Sequence, residues 1–316
     1  MKRNIKIIVL ITAITLVLAQ ILTACTGTSN EHNRKSKITI IATLFPQYDF
    51  SREIAGDKAE IRLLLPPGME SHSYEPTPSD IVSISKSDIF LYTGDDMEPW
   101  AKTILNGIET NALIVNVSSG IELKKEDEHD DDDEHEHEHE HEFDAHIWTD
   151  PINAKVMVKN IEDALASVDS ENAQYYHENA EMYIKELDEL DKQFSEVAQN
   201  ARVKTICFGG RFAMRYFADR YGFDYIAAYD SCSGETEPSA KAVAEIIDAV
   251  KEQNIKVIYY EELVDSSVAD SIAKEAGAES MLLHSCHNLS KADFDAGETY
   301  ISLMKKNVEA LKYGLN

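Results

Sequence analysis

Six histidines crowd the stretch DEHDDDDEHEHEHEHEFDAHIWTDP, Asp127 to Pro151. Five of them, His129, His135, His137, His139 and His141, alternate with or follow acids, and His146 comes just beyond, in DAHIWTDP. Two further histidines stand alone in their surroundings: His72 in PPGMESHSYEPTPSD and His284 in MLLHS. Neutral imidazole is an ordinary ligand for zinc. The chemistry on offer is therefore metal binding of two kinds. An alternating His–Glu run gives many weak, interchangeable sites and is too charged to pack, so residues 126–142 are expected to form a disordered loop. A tight site needs separate histidines held by a fold, and His72, His146 and His284 are the residues for it.

The elements that must position them alternate in type. KITIIATLF, KAEIRLLLPPG, DIFLYTG and NALIVNVSSG carry short β-branched or apolar runs expected to form buried strands, with FSREIAG, SDIVSISK and PWAKTILNGI as helices between them. A helix follows in TDPINAKVMVKNIEDALASV. Next, Tyr176, Ala180, Tyr183, Leu187, Leu190, Phe194 and Val197 recur at steps of three and four, one apolar face of a single long helix. Some 28 residues at 1.5 Å each would span about 40 Å. The alternation then restarts: VKTICFGG, FDYIAAY, KVIYYEE and ESMLLHS as strands, FAMRYFADRYG, PSAKAVAEIIDAVKEQN, VADSIAKEAG and YISLMKKNVEALKYGL as helices. This is the pattern of an α/β protein with two Rossmann-like lobes, parallel sheets flanked by helices, joined by one long rigid helix. The expected boundaries are 38–169 for the first lobe, 170–200 for the linking helix and 201–316 for the second lobe. In doubly wound folds ligands collect beyond the carboxyl ends of the strands. His72, His146 and His284 all fall near such ends, two in the first half and one in the second.

Composition narrows the setting. The net charge of -27 argues against a nucleic-acid partner, and much of it is local, with twelve acids and no Lys or Arg in residues 126–142. Residues 1–24 read as a signal peptide, a basic MKRNIK before an apolar run, ending in Leu22-Thr23-Ala24. Cys25 then stands where a lipid would be attached, with residues 25–37 as a polar tether. The protein is expected on the outer face of the cytoplasmic membrane. Cys207, Cys232 and Cys286 are widely spaced and odd in number, so they build neither a disulfide framework nor a thiolate zinc cluster.

LFPQYDFSREIAGD, PPGMESHSYEPTPSD, DAHIWTDP, YFADRYG, GETEPSAK and VIYYEE together resemble the zinc/manganese solute-binding proteins of ABC importers, the cluster 9 family. The resemblance runs through nearly all of residues 38–316. It implies a two-lobed clamshell that delivers metal to a permease and its ATPase and is not an enzyme. His72 and His146 match the family's first two ligands. Arg211 stands where the family carries a His or Glu, and a guanidinium cannot bind a cation. His284 stands for the family's usual aspartate. The implied ligand set is His72, His146 and His284, with Glu261 as the fourth candidate and Glu235, Cys286 and His287 as weaker ones. Arg211 is expected to lie in the cleft as a non-ligand, turned from the metal or paired with an acid such as Asp230 or Glu235. Three imidazoles favour zinc; manganese, the alternative, prefers carboxylate and water. The acidic histidine run then reads as an auxiliary zinc-collecting loop. A zinc hydrolase with an open three-histidine site is the competing class, but no H-E-x-x-H motif is present.

Overall fold

In the computed structural model the described residues are 37–71, 74–125, 143–228 and 238–316. The expected leader and tether up to residue 36, His72, the histidine run 126–142, and the segment with Asp230, Cys232 and Glu235 lie outside them. Residues Ile38–Asn316 form one compact unit.

Two four-stranded parallel sheets make its frame. The first orders β2 (Ala59–Leu63), β1 (Ile38–Ala42), β3 (Ile89–Tyr92) and β4 (Leu113–Asn116), in that sequence across the sheet. The second orders β10 (Glu279–Leu282), β9 (Val257–Tyr260), β7 (Thr205–Phe208) and β8 (Asp224–Ile226). Counted from its own first strand, the second sheet repeats the order of the first, so the two halves share one topology. The central strands are buried on both faces, as Thr205–Phe208 is throughout. Their β-branched and aromatic runs fit that position. Between the halves lies a short antiparallel ladder, β5 (Lys124–Lys125) with β6 (Phe143–Asp144), pairing Lys124 with Asp144 and Lys125 with Phe143. It joins the two ends of residues 126–142 and delivers the chain to His146.

The helices are α1 (Phe45–Ala55), α2 (Pro78–Lys86), α3 (Pro99–Gly107), α4 (Pro151–Val168), α5 (Ala173–Asn200), α6 (Arg215–Tyr221), α7 (Ala240–Gln253), α8 (Ser267–Ala276), α9 (Lys291–Ala296) and α10 (Tyr300–Leu315). Helix α1 starts earlier than FSREIAG suggests, with Pro46 in its first turn, where a missing N–H costs nothing. Helix α9 is six residues long, too short for a periodic signal, though Ser290 caps it by accepting from the Asp293 amide. Helix α5 has the expected 28 residues and buries Tyr176, Ala180, Tyr183, Leu187, Leu190, Phe194 and Val197. Full burial of one such large side chain is worth about 1.5–3 kcal/mol.

The halves are tied at a buried junction. Phe50 of α1 packs against Tyr183 of α5 and Tyr300 of α10, with ring centroids 5.6 and 5.1 Å away. Beside it the Asp49 carboxylate accepts from the Tyr300 amide at 2.8 Å and from Arg52 Nη2 at 2.6 Å. Burial pushes the Asp49 carboxyl up to about 6, against the pull of those bonds. One side chain of the first half thus caps the last helix of the second. Cys207 and Cys286 are buried and unbridged.

Candidate metal site

The first half contributes a preset imidazole. Asp144 at the end of β6 and His146 two residues on are both buried. Asp144 Oδ1 accepts from the His146 amide at 2.8 Å and lies 2.9 Å from ring Nδ1. Burial acts to raise the Asp144 carboxyl, yet the His146 ring and the bonds from it hold the carboxyl below its ordinary value. An ionised Asp144 can only accept, so Nδ1 carries the proton and Nε2 presents its lone pair. A carboxylate behind an imidazole is the arrangement that orients a metal-binding histidine. Trp148, whose ring centroid is 5.5 Å from that of His146, donates Nε1–H to the Ser285 carbonyl at 2.7 Å and so links this turn to the second half.

The second half contributes the loop His284–Leu289 after β10. Glu262 grips it: one oxygen accepts from the Ser285 amide at 2.7 Å, the other from the Ser285 hydroxyl at 2.7 Å and the His287 amide at 3.1 Å. His287 is buried, its ring centroid 5.0 Å from that of His146 and nearly perpendicular to it. Its Nε2 meets the Ser71 hydroxyl at 2.5 Å, next in sequence to His72. Asn288 donates to the carbonyls of Pro66 and Met69, 2.9 Å each, so the loop also holds the PPGMES segment of the first half.

His284 engages other partners. Its backbone is clasped by Asn307 of α10, at 2.8 and 2.7 Å. Its Nδ1 accepts the Cys286 amide at 2.9 Å, which puts the ring proton on Nε2. Glu262 lies 3.4 Å from the same nitrogen, too long for a good bond, and its oxygens already serve Ser285. Among the described residues His284 Nε2 is buried without a hydrogen-bond partner. Cys286, between His284 and His287, has φ +62°, a left-handed turn that redirects the loop.

Arg211 follows β7. Gly209 precedes it for a packing reason: a Cβ there would lie 2.6 Å from the Ala269 Cα, so only glycine lets α8 approach. The Arg211 Nε donates to Glu261 Oε1 at 2.9 Å, and Nη2 to Glu70 Oε2 at 3.1 Å. The expected acid partnership is present, with Glu261 and Glu70 as the acids among the described residues. Glu261 itself is 4% exposed, and among the described residues its second oxygen, Oε2, is buried without a hydrogen-bond partner. Burial pushes the Glu261 carboxyl up to about 7, while the Arg211 guanidinium pulls it down.

Met69, Glu70, Ser71, Arg211, Glu261 and His287 surround a cavity of about 10 Å³. That is the scale of a single water or ion. Among the described residues no group of three or more His, Cys, Asp or Glu side chains is gathered closely enough to hold a metal. His72, the first expected ligand, lies outside that set. A larger open pocket of about 590 Å³, around Ser85, Asp88 and Leu113, sits at the amino ends of β3 and β4. It is the wrong edge for a ligand in this architecture.

Two parallel sheets of one topology, with a buried carboxylate–imidazole pair at the junction of their halves, define a two-sheet binding protein. The chain belongs to the family described as zinc-uptake complex component A, periplasmic (ZnuA), whose profile matches residues 40–314. It is 38% identical over 298 residues to the high-affinity zinc uptake system protein ZnuA of Bacillus subtilis, covering 92% of this chain and 93% of that one. It is 35% identical over 297 residues to the zinc-binding lipoprotein AdcA of Streptococcus pneumoniae, 93% of this chain but 58% of AdcA. Among solved structures it is similar to the metal-dependent lipoprotein YcdH of Bacillus subtilis, with TM-score 0.76, 35% identity, and 88% and 99% of the two chains covered. The Zn(II)-bound ZnuA-like domain of pneumococcal AdcA gives TM-score 0.74 at 31% identity, covering 88% and 99%.

Proposed function

We propose that this chain is an extracytoplasmic receptor that captures zinc and delivers it to the permease and ATPase of an ABC importer. Membership of the zinc-uptake family supports the reading, as do the zinc-binding names of its relatives. The observation that carries it is the Asp144–His146 pair, a buried imidazole whose outward nitrogen is fixed as a lone-pair donor. His72 and His146 are ligands from the first half. For the third imidazole we read His287 in place of His284, because His287 faces His146 whereas the His284 ring is turned to the Cys286 amide. On binding, the metal takes the place of the Ser71 hydroxyl at His287. Glu261 completes a set of three nitrogens and one oxygen, a tetrahedral zinc donor set.

No helix among the described residues is long and apolar enough to cross a membrane. In this proposal a lipid on Cys25 anchors the chain, and the relatives named as lipoproteins support that. His129, His135, His137, His139 and His141 act as an auxiliary, weaker collecting site. The β5–β6 ladder sets both ends of that run beside Asp144. The chain is a carrier, and no catalytic step is assigned to it.

The test is zinc titration of the full chain against a chelator strong enough to strip the histidine run. One tight equivalent that survives His284→Ala and is lost in His287→Ala is the expected result. No tight equivalent at all would overturn the receptor, and dependence on His284 instead would overturn the ligand assignment.

A further inference from the structure

The replacement of a family ligand by Arg211 has a structural counterpart in Glu261. Arg211 and Glu261 stand at the ends of neighbouring strands, β7 and β9, and the guanidinium takes one carboxylate oxygen, Oε1. The other, Oε2, is buried and has no hydrogen-bond partner among the described residues. A second guanidinium nitrogen reaches Glu70, in the segment just before His72. The side chain that cannot bind metal therefore bridges the two halves and holds an acid with one oxygen spoken for.

We propose that Arg211 is a positioning and specificity-determining residue, which makes Glu261 a one-oxygen ligand and so tunes the cleft to a four-coordinate metal. This rests on the receptor reading above. A carboxylate can bind a cation through one oxygen or through both, and two-oxygen binding raises the coordination number. Zinc is satisfied by four ligands in a tetrahedron. Manganese sits with the oxygen-loving, six-coordinate ions. With Oε1 tied by a charge-assisted bond, the two-oxygen mode is closed, which lowers the number of oxygens the protein itself offers to manganese. The pairing also answers the charge problem. A guanidinium beside a dication is unfavourable alone, but here Glu261 stands between them and Glu70 neutralises the other face.

The experiment uses the full chain with alanine at His129, His135, His137, His139 and His141, so that only the cleft is read. One equivalent of cobalt(II) is added and the visible spectrum recorded, since four-coordinate cobalt absorbs several times more strongly than six-coordinate cobalt. Zinc-over-manganese preference is measured by chelator competition. The parent should give the intense tetrahedral spectrum. Arg211→Ala should lose more than half of that intensity, and its zinc-over-manganese preference should fall about tenfold. Arg211→Lys, which keeps a cation at Oε1, should restore both to within about threefold. If Arg211→Ala folds poorly, Arg211→Gln provides the same comparison without the charge. Variants that bind one equivalent with the parent's spectrum and preference would sink the role of Arg211 alone. A parent that takes up no cobalt tightly would sink the receptor reading beneath it.

Discussion

Two buried histidines of this protein, His146 in the first half and His284 in the second, look alike by sequence and differ in chemistry. Each has its Nδ1 engaged at 2.9 Å. Behind His146 stands a carboxylate, which accepts. Behind His284 stands a backbone amide, which donates. The partners impose opposite tautomers, so Nε2 of His146 offers a lone pair and Nε2 of His284 holds a hydrogen. A histidine near the end of a strand is therefore not yet a ligand; what lies behind its ring decides. In the proposed site the second half contributes His287 from the same loop and the Arg211–Glu261 pair instead.

The comparison breaks most sharply at the proposed ligands. Replacing His146 or His287 by alanine should weaken zinc on the order of 1,000-fold, about 4 kcal/mol, in chelator competition. Equal losses from His284→Ala would erase the distinction between the two rings.

A second test bears on how the first half stiffens its edge. Glu98 is buried, with amides of Thr93 and Gly94 donating to it at 3.0 and 3.1 Å. Thr43 Oγ1 lies 2.5 Å from Glu98 and 2.8 Å from Gln47 Oε1. One hydroxyl has one hydrogen, so a protonated Glu98 donating to Thr43 satisfies all three groups. Burial pushes the Glu98 carboxyl up from 4.5 to about 7. The fold thus favours the protonated form: its stabilisation is full below about 4.5 and is lost as the pH rises through 7. The shift corresponds to roughly 3 kcal/mol. Urea unfolding at pH 5 and pH 8 should show the parent losing about that much relative to Glu98→Gln, which keeps a neutral donor. Parallel pH dependences would show Glu98 ionised throughout.

Asp144→Asn comes next. It keeps the shape but lets the amide donate to Nδ1, moving the His146 hydrogen to Nε2. A loss of 10- to 100-fold in zinc affinity is expected, as for other groups behind a ligand. An unchanged affinity would mean the carboxylate does not set the ring. The smallest effect belongs to His284→Ala, with zinc affinity kept within about threefold and about 1 kcal/mol of stability lost with the bond to the Cys286 amide.

The frame of this protein was largely legible in its sequence. All eight strands of the two parallel sheets lie in the segments read as strands, and the buried face of α5 matches the three-and-four spacing residue for residue. Those features depend on local periodicity. The expectation that Arg211 pairs with an acid followed from electrostatics, and that pairing is present. Which acids could not be foreseen, because Glu70 and Glu261 are 141 and 50 positions away. Between His284 and His287 lies Cys286 with a left-handed backbone, a conformation non-glycine residues seldom adopt and no motif announced. The two-residue strands β5 and β6 and the six-residue α9 were too short to carry a pattern.

The most direct measurement is long-range proton–nitrogen NMR of the imidazole rings, before and after one equivalent of zinc. Metal-free, His146 should carry its hydrogen on Nδ1 and His284 on Nε2. Zinc should then shift the ring nitrogens of His146 and His287 and leave those of His284 unmoved. A His284 ring that begins with its hydrogen on Nδ1, or that shifts as far as His146 on adding zinc, would contradict the account.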